Sequence, residues 1–392
     1  MPDDIEPKDA AFGDSVASDQ RRFAGEERAF GYLAPAQCRV RSRRCIVRFM
    51  SFHSVVLIPG DGIGPEVSDA VTKILRAANA PVEFVTHHAG LGAIERNMDG
   101  VLPAETIQAI AETHVALKGP CTTPVGKGFS SVNVALRREL NLYAALRPIQ
   151  SVPGVKTRFE NVDLVIVREN TEGLYSGIEN QITPGVVVSM KVATRVACQR
   201  VSHWTFRYAN ARKRKKVSVF HKANIMKMSD GLLLEEARKV HARDYPNIEY
   251  QELIIDAACM RLVQDPTQLD VILCENLYGD IVSDLCAGLI GGLGVAPGAN
   301  IGDNDAVFEA VHGSAPDIAG RDLANPLSLL MSAAMMLDYL ADTRSDVRCQ
   351  TAAESVRFAY KAALGDGQKT RDLGGELGTQ AFTQAIIDRL RG

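Results

Sequence analysis

From residue 55 onward, short apolar runs alternate with amphipathic stretches, and that alternation restricts the chain to α/β architectures. Residues 55–58 (Val-Val-Leu-Ile) read as a buried strand, broken by Pro59-Gly60-Asp61-Gly62-Ile63-Gly64. Pro65 suits the first turn of a helix, and Val67, Ala70, Val71, Ile74 and Leu75 recur at helical spacing. Residues 82–86, 162–167, 216–220, 249–255 and 269–274 are further strand candidates, and 106–112 a short helix. Residues 177–192 are strand-like without a neighbouring helix signal, so a separate β excursion is expected there. The basic run 212–216 has no interleaved aromatic residue and reads as a solvated turn.

The glycine turn invites a dinucleotide reading, because it lies between a strand and a helix. Its spacing is G-x-G-x-G, however, with the third glycine one residue too early for G-x-G-x-x-G. A tight strand-to-helix connection is the expectation.

Composition narrows the function classes. The chain has 392 residues, enough for two or three structural units, and a formal net charge of -3. Near-neutral balance offers no field for nucleic acid or a membrane surface. Apolar runs such as 185–190 and 285–296 are too short or too glycine-rich to span a bilayer. Eight cysteines without C-x-x-C spacing point to reduced thiols and a cytoplasmic protein. Residues 1–49 begin acidic and turn basic at 39–48, matching neither a secretory signal nor an acid-poor transit peptide. The expectation is a dispensable extension without a fold of its own, or a start assigned upstream of Met50.

Two charged patterns stand out. Arg147 and Arg168 each end an apolar run, where a guanidinium usually has a fixed anionic partner, and Arg137 stands nearby. Each could pair with a protein carboxylate, or all could converge on one polyanionic ligand; spacing does not decide. Asp280 and Asp284 stand at i, i+4, on one face of a helix, and Asp256 ends another apolar run. Such oxygen ligands suit magnesium or manganese, although an aspartate pair on a helix is commonly just a solvated face.

Five blocks carry a resemblance. They are Gly60-Asp61-Gly62-Ile63-Gly64-Pro65-Glu66, Arg168-Glu169-Asn170-Thr171-Glu172-Gly173-Leu174-Tyr175, His221-Lys222-Ala223-Asn224-Ile225-Met226, Asn276-Leu277-Tyr278-Gly279-Asp280, and residues 311–320 from Val311-His312-Gly313 to Ala319-Gly320. In this order they resemble the isocitrate and isopropylmalate dehydrogenases, from about residue 55 to the C-terminus. The resemblance implies a two-domain α/β fold. A large domain would be built from 50–142 and 291–392, and a small domain from 143–290. A β clasp at about 173–194 would be exchanged in a homodimer.

It also implies roles. Substrate carboxylates would meet Arg137, Arg147 and Arg168, with Asn224 nearby. Magnesium or manganese would be held by Asp280 and Asp284, plus Asp256 from the partner chain. NAD would lie against residues 312–325, contacting Thr122, Glu309, His312, Gly313, Asp317, Ile318 and Asn325, and not against the glycine turn. Lys222, completing the partner's site together with Asp256, would help remove the C2 hydroxyl proton as hydride leaves. Such a lysine needs a lowered pKa, which burial beside a cation supplies. The β-keto acid would then lose carbon dioxide, and Tyr175 would protonate C3.

Substrate and cofactor are read from two short stretches. Ser131 and Asn133 ahead of Arg137 resemble isocitrate-using members, whereas isopropylmalate-using members carry leucines there. A buried hydroxyl and amide facing an apolar tail would each lose about 1–3 kcal/mol. Homoisocitrate, one methylene longer, is excluded less securely. Asp317 and Ile318 replace the lysine and tyrosine of NADP-using members, so NAD is expected. Tyr175, Lys222, Asp256, Asp280 and Asp284 are all present, which favours a catalytic chain over a noncatalytic regulatory subunit.

Overall fold

The strands assemble into one mixed sheet whose two ends are parallel and whose middle is antiparallel. The structure, a computed structural model, describes residues 52–122 and 131–391. The expectation for residues 1–49 lies outside the described residues. The strands are β1 (His53–Ile58), β2 (Val82–Thr86), β3 (Val115–Lys118), β4 (Ala144–Gln150), β5 (Asp163–Glu169), β6 (Gly173–Thr183) and β7 (Val186–Val192). They continue with β8 (Lys216–His221), β9 (Glu249–Ile254), β10 (Val271–Cys274), β11 (Pro297–Ile301) and β12 (Ala306–Ala310). Ten of them form the sheet β2-β1-β3-β12-β11-β4-β5-β10-β8-β9.

Strands from both chain ends fill one half, and strands from the middle of the chain fill the other. Pairing is parallel from β2 to β12 and from β5 to β9. It is antiparallel through β12-β11-β4-β5, so the two parallel wings run in opposite directions. Strands such as β10 (Val-Ile-Leu-Cys) are buried throughout, because helices cover both faces of the sheet. That is why they read as continuous apolar runs and not as alternating ones.

The first helix, Gly64–Ala77, behaves as its sequence demands. Pro65 opens it, Glu66 and Arg76 sit at the ends the helix dipole favours, and the stripe Val67, Ala70, Val71, Ile74, Leu75 is buried. Its approach turn depends on two glycines. Gly60 and Gly62 have positive φ, and a Cβ would lie 2.1 Å from the Pro120 carbonyl oxygen and 2.0 Å from that of Ser314. The turn is a close-packing device between two other loops.

The β excursion expected at 177–192 is the two-stranded ribbon β6-β7, which begins earlier, at Gly173. It stands apart from the main sheet. Ile182, Val186, Val187 and Met190 on it are each at least half exposed. Among the described residues no helix is long and apolar enough to cross a membrane.

Candidate active site

Sheet register builds the site. Lys118 on β3 pairs with Glu309 on β12, and Glu309 with Gly298 on β11. Continuing the β11-β4 register brings Arg147 next in this row, so all four residues share one face. Ala145 pairs with Arg168 on β5, which puts Arg168 on the same face two residues along. Gly298 is the gap in this row: a Cβ there would fall 1.5 Å from an Arg147 Nη1, so only glycine lets that guanidinium lie across β11.

Glu309 is the hub. Its carboxylate is 3.0 Å from Lys118 Nζ, 3.4 Å from Arg137 Nη2 and 3.5 Å from Arg147 Nη2, and it accepts a 2.7 Å bond from Asn300 Nδ2. Burial alone would raise its pKa; Lys118, Arg137 and Arg147 overwhelm that and hold it well below the usual carboxylate range. Burial presses the Arg147 pKa down and Glu309 opposes it, while Arg137 and Arg168 push it further down. Three cations therefore share one carboxylate. Arg137 Nε and Arg147 Nη1 are buried with no hydrogen-bond partner among the described residues, as is Asn133 Oδ1.

The second cluster comes from the helix Asn276–Leu289. Its N-cap Glu275 accepts a bond from Tyr278 N. Arg168 donates to Asn276 Oδ1 from Nε (3.0 Å) and Nη2 (2.7 Å), and pairs with Asp280 through Nη1. Tyr175, at the start of β6, donates its hydroxyl to the other oxygen of Asp280, and its ring lies 4.9 Å from the Arg168 guanidinium. Burial, then the bond to Asp280, raises the Tyr175 pKa, which keeps its proton in place. Asp284 is also raised, by burial first and then by Asp280, despite Arg147 and Arg168. Two oxygen-donor carboxylates one turn apart, one of them destabilised by the other's charge, fit a hard divalent cation.

These groups open on a single cleft of about 280 Å³. Lining it are Ser131, Asn133, Arg137, Arg147, Arg168, Tyr175, Asp280, Asp284, Glu309, His312 and Gly313 from the expected set, together with Lys118 and Ser283. Arg137, Arg147 and Arg168 line one cleft and also pair with protein carboxylates, the first two with Glu309 and the third with Asp280. A more open hollow of about 480 Å³ beside Lys156, Arg158 and Phe159 contains none of the expected residues.

Other expected residues lie elsewhere in the chain. Lys222 and Asp256 form a 2.7 Å ion pair away from the cleft, and Asn224 is exposed. Thr122 stands just outside, its hydroxyl 2.5 Å from Ser314 Oγ. Asp317 and Ile318 sit in the short turn Pro316–Ile318, with Asp317 exposed. Asn325 is committed internally, to Asp372 Oδ2 and Leu327 N. Lys118 and Asn300 were not anticipated. Lys118 ends the apolar run Val115-Ala116-Leu117, the same signal that singled out Arg147 and Arg168; nothing comparable marks Asn300.

The isocitrate/isopropylmalate dehydrogenase family model matches residues 54–390. The chain belongs to that family. It is 49% identical over 339 residues to the isocitrate dehydrogenase (NAD) catalytic subunit 5, mitochondrial, of Arabidopsis thaliana, covering 86% of this chain and 88% of that protein. It is also 49% identical to a mitochondrial isocitrate dehydrogenase (NAD) regulatory subunit of Dictyostelium discoideum, over 86% of this chain and 92% of that one. The crystal structure of isocitrate dehydrogenase from Methylococcus capsulatus superposes with a TM-score of 0.81 at 45% identity, covering 87% of this chain and all of that one. Membership in the family makes the chain a dehydrogenase by type, with NAD and a divalent metal as the cofactors its relatives imply.

Proposed function

We propose that the chain is a catalytic NAD-dependent isocitrate dehydrogenase that oxidises and decarboxylates isocitrate. One observation carries the reading: Lys118, Arg137, Arg147 and Arg168 line one cleft, and the first three share a single carboxylate, which leaves the cleft with excess positive charge. A polycarboxylate ligand would supply the missing counter-charge. Ser131 and Asn133 line the same cleft, and the serine hydroxyl and the asparagine Nδ2 are donors suited to a third carboxylate, which favours a polar arm over an isopropyl group.

Asp280 and Asp284 would hold a divalent cation that would supply Lewis acidity at the substrate oxygen, and NAD, when bound, would supply the hydride acceptor. The chain's own residues do the rest. Arg137 and Arg147 fix the substrate carboxylates, and Glu309 keeps those guanidinium groups in place. Tyr175 holds a proton on its hydroxyl, ready for the carbon that loses carbon dioxide. We assign Lys222 and Asp256 to the site of a partner protomer, since neither lines the cleft of its own chain; freed there from its ion pair with Asp256, Lys222 would help remove the hydroxyl proton. The ribbon β6-β7 supports a second copy: a two-stranded ribbon bearing exposed Ile182, Val186, Val187 and Met190 is marginal unless another chain covers it.

The purified chain is assayed with isocitrate and with 3-isopropylmalate, using NAD and magnesium. Turnover of isocitrate with at least a hundredfold higher kcat/KM, on the order expected for an unpaired polar group, supports the reading. No turnover of isocitrate by the chain alone would point instead to a regulatory subunit.

A further inference from the structure

The turn containing Asp61 has no part in the chemistry above, yet its carboxylate is buried and fully engaged. Asp61 Oδ2 accepts from Leu91 N (3.0 Å) and Thr122 N (2.7 Å), and Oδ1 from Gly92 N (2.7 Å). The backbone of the same turn grips two further strands of chain. Asp61 N donates to the Pro120 carbonyl (2.7 Å) and Ile63 N to that of Ser314 (2.8 Å). Thr122 and Ser314 then close the ring through their hydroxyls at 2.5 Å. Loop 119–122 and loop 312–318 are thus hung from one anchor. Each sends residues to the cleft: Pro120 and Cys121 from the first, His312 and Gly313 from the second.

We propose that Asp61 is a positioning residue for the cofactor, acting through Thr122 and Ser314 to set the height of the 312–318 loop. This rests on the reading that NAD lies along residues 312–325. The substrate arginines are held independently, by Glu309, Asp280 and Asn276, and none of them touches the Asp61 turn. Disturbing Asp61 should therefore separate the two substrates kinetically. An asparagine keeps the shape, but with three N–H donors divided between two positions its NH2 group must face at least one of them.

The experiment compares Asp61→Asn, Ser314→Ala and the double change Asp317→Lys with Ile318→Tyr against the natural chain. KM for NAD, KM for isocitrate, the NAD/NADP ratio and Tm are measured for each. Asp61→Asn should raise KM for NAD by about tenfold, with KM for isocitrate within about twofold. Ser314→Ala, which removes the link to Thr122 at a residue outside the named NAD contacts, should move KM for NAD in the same direction by less, and it serves if Asp61→Asn does not fold. If the Asp317 double change alters cofactor preference while KM for NAD is unmoved in both other variants, the inference is overturned and the nucleotide reading stands. Equal rises in both KM values also overturn it. If the double change has no effect on preference, the nucleotide reading fails and the inference fails with it.

Discussion

Arg147 reaches Glu309 by lying across Gly298, on the strand between them. The substrate-facing charge of the site thus depends on a residue without a side chain. Gly298→Ala would place a methyl group against Arg147 Nη1 and swing a flexible guanidinium away, leaving the backbone of β11 in its ordinary extended form. The expected outcome is a folded protein whose KM for isocitrate rises about tenfold or more, as when a charged hydrogen bond is lost. Unchanged KM would mean that Arg147 does not meet substrate from this position.

Glu309 makes the same site sensitive to acid. Its carboxyl is held well below the ordinary value near ~4.3, so its stabilisation is complete above that pH and fades as pH falls toward the folded value. Glu309→Gln leaves Lys118, Arg137 and Arg147 buried together without a counter-ion, which should cost about 3–5 kcal/mol at pH 7. The variant should also lose less stability than the natural chain between pH 5 and 3. Urea unfolding across that range tests both, and parallel curves for the two proteins would refute the assignment.

What was legible in the sequence depended on the same physics. Runs such as residues 55–58 and 216–220 are visible because parallel strands buried on both faces are apolar throughout. The central strands β4, β11 and β12 are hidden. Gly298 and Ala145 are small where Arg147 and Arg168 lie across or beside them, so the build of the site weakens the strand signal. Arg147 and Arg168 could be singled out as cations at apolar ends, but their shared face follows from the β4-β5 register, and the meeting of Arg147 with Glu309 from the register of β4 with β11, about 150 residues away. Lys222 and Asp256 were legible only by resemblance, and the single chain keeps them away from the cleft.

The aspartate pair predicts a metal response. Burial and Asp280 press the Asp284 carboxyl upward, and a divalent cation should relieve both effects. Asp284→Asn should raise the magnesium concentration for half-maximal activity at least about tenfold. Asp280→Asn should do the same and also lower kcat, because Arg168 and Tyr175 lose their shared partner. Full activity after exhaustive chelation would remove the metal from the mechanism.

If Lys222 completes the partner's site, two inactive chains should repair one another. Tyr175→Phe and Lys222→Met variants are mixed and allowed to exchange protomers. Half of the dimers are then mixed, and each carries one intact site, so about a quarter of the natural activity should return. A lysine serving its own chain would give no recovery.

Cofactor choice is expected to turn on Asp317. It is exposed in the short turn Pro316–Ile318, within the segment that starts at His312 on the cleft wall. A carboxylate there accepts a hydrogen bond from a ribose 2′-hydroxyl and repels a 2′-phosphate. At about 4 Å with surface-like screening the repulsion is a few kcal/mol, enough for roughly a hundredfold preference for NAD. Asp317→Lys together with Ile318→Tyr replaces that repulsion with an attraction and adds a hydroxyl donor, so kcat/KM should shift toward NADP. Asp317 is exposed, and Ile318 is only partly buried at the edge of the main core, so any loss of stability should be small. The comparison is kcat/KM with each cofactor in both proteins, with Tm as the check on folding. A natural chain that prefers NADP, or a double variant with the same ratio and an unchanged Tm, would show that Asp317 never meets the ribose.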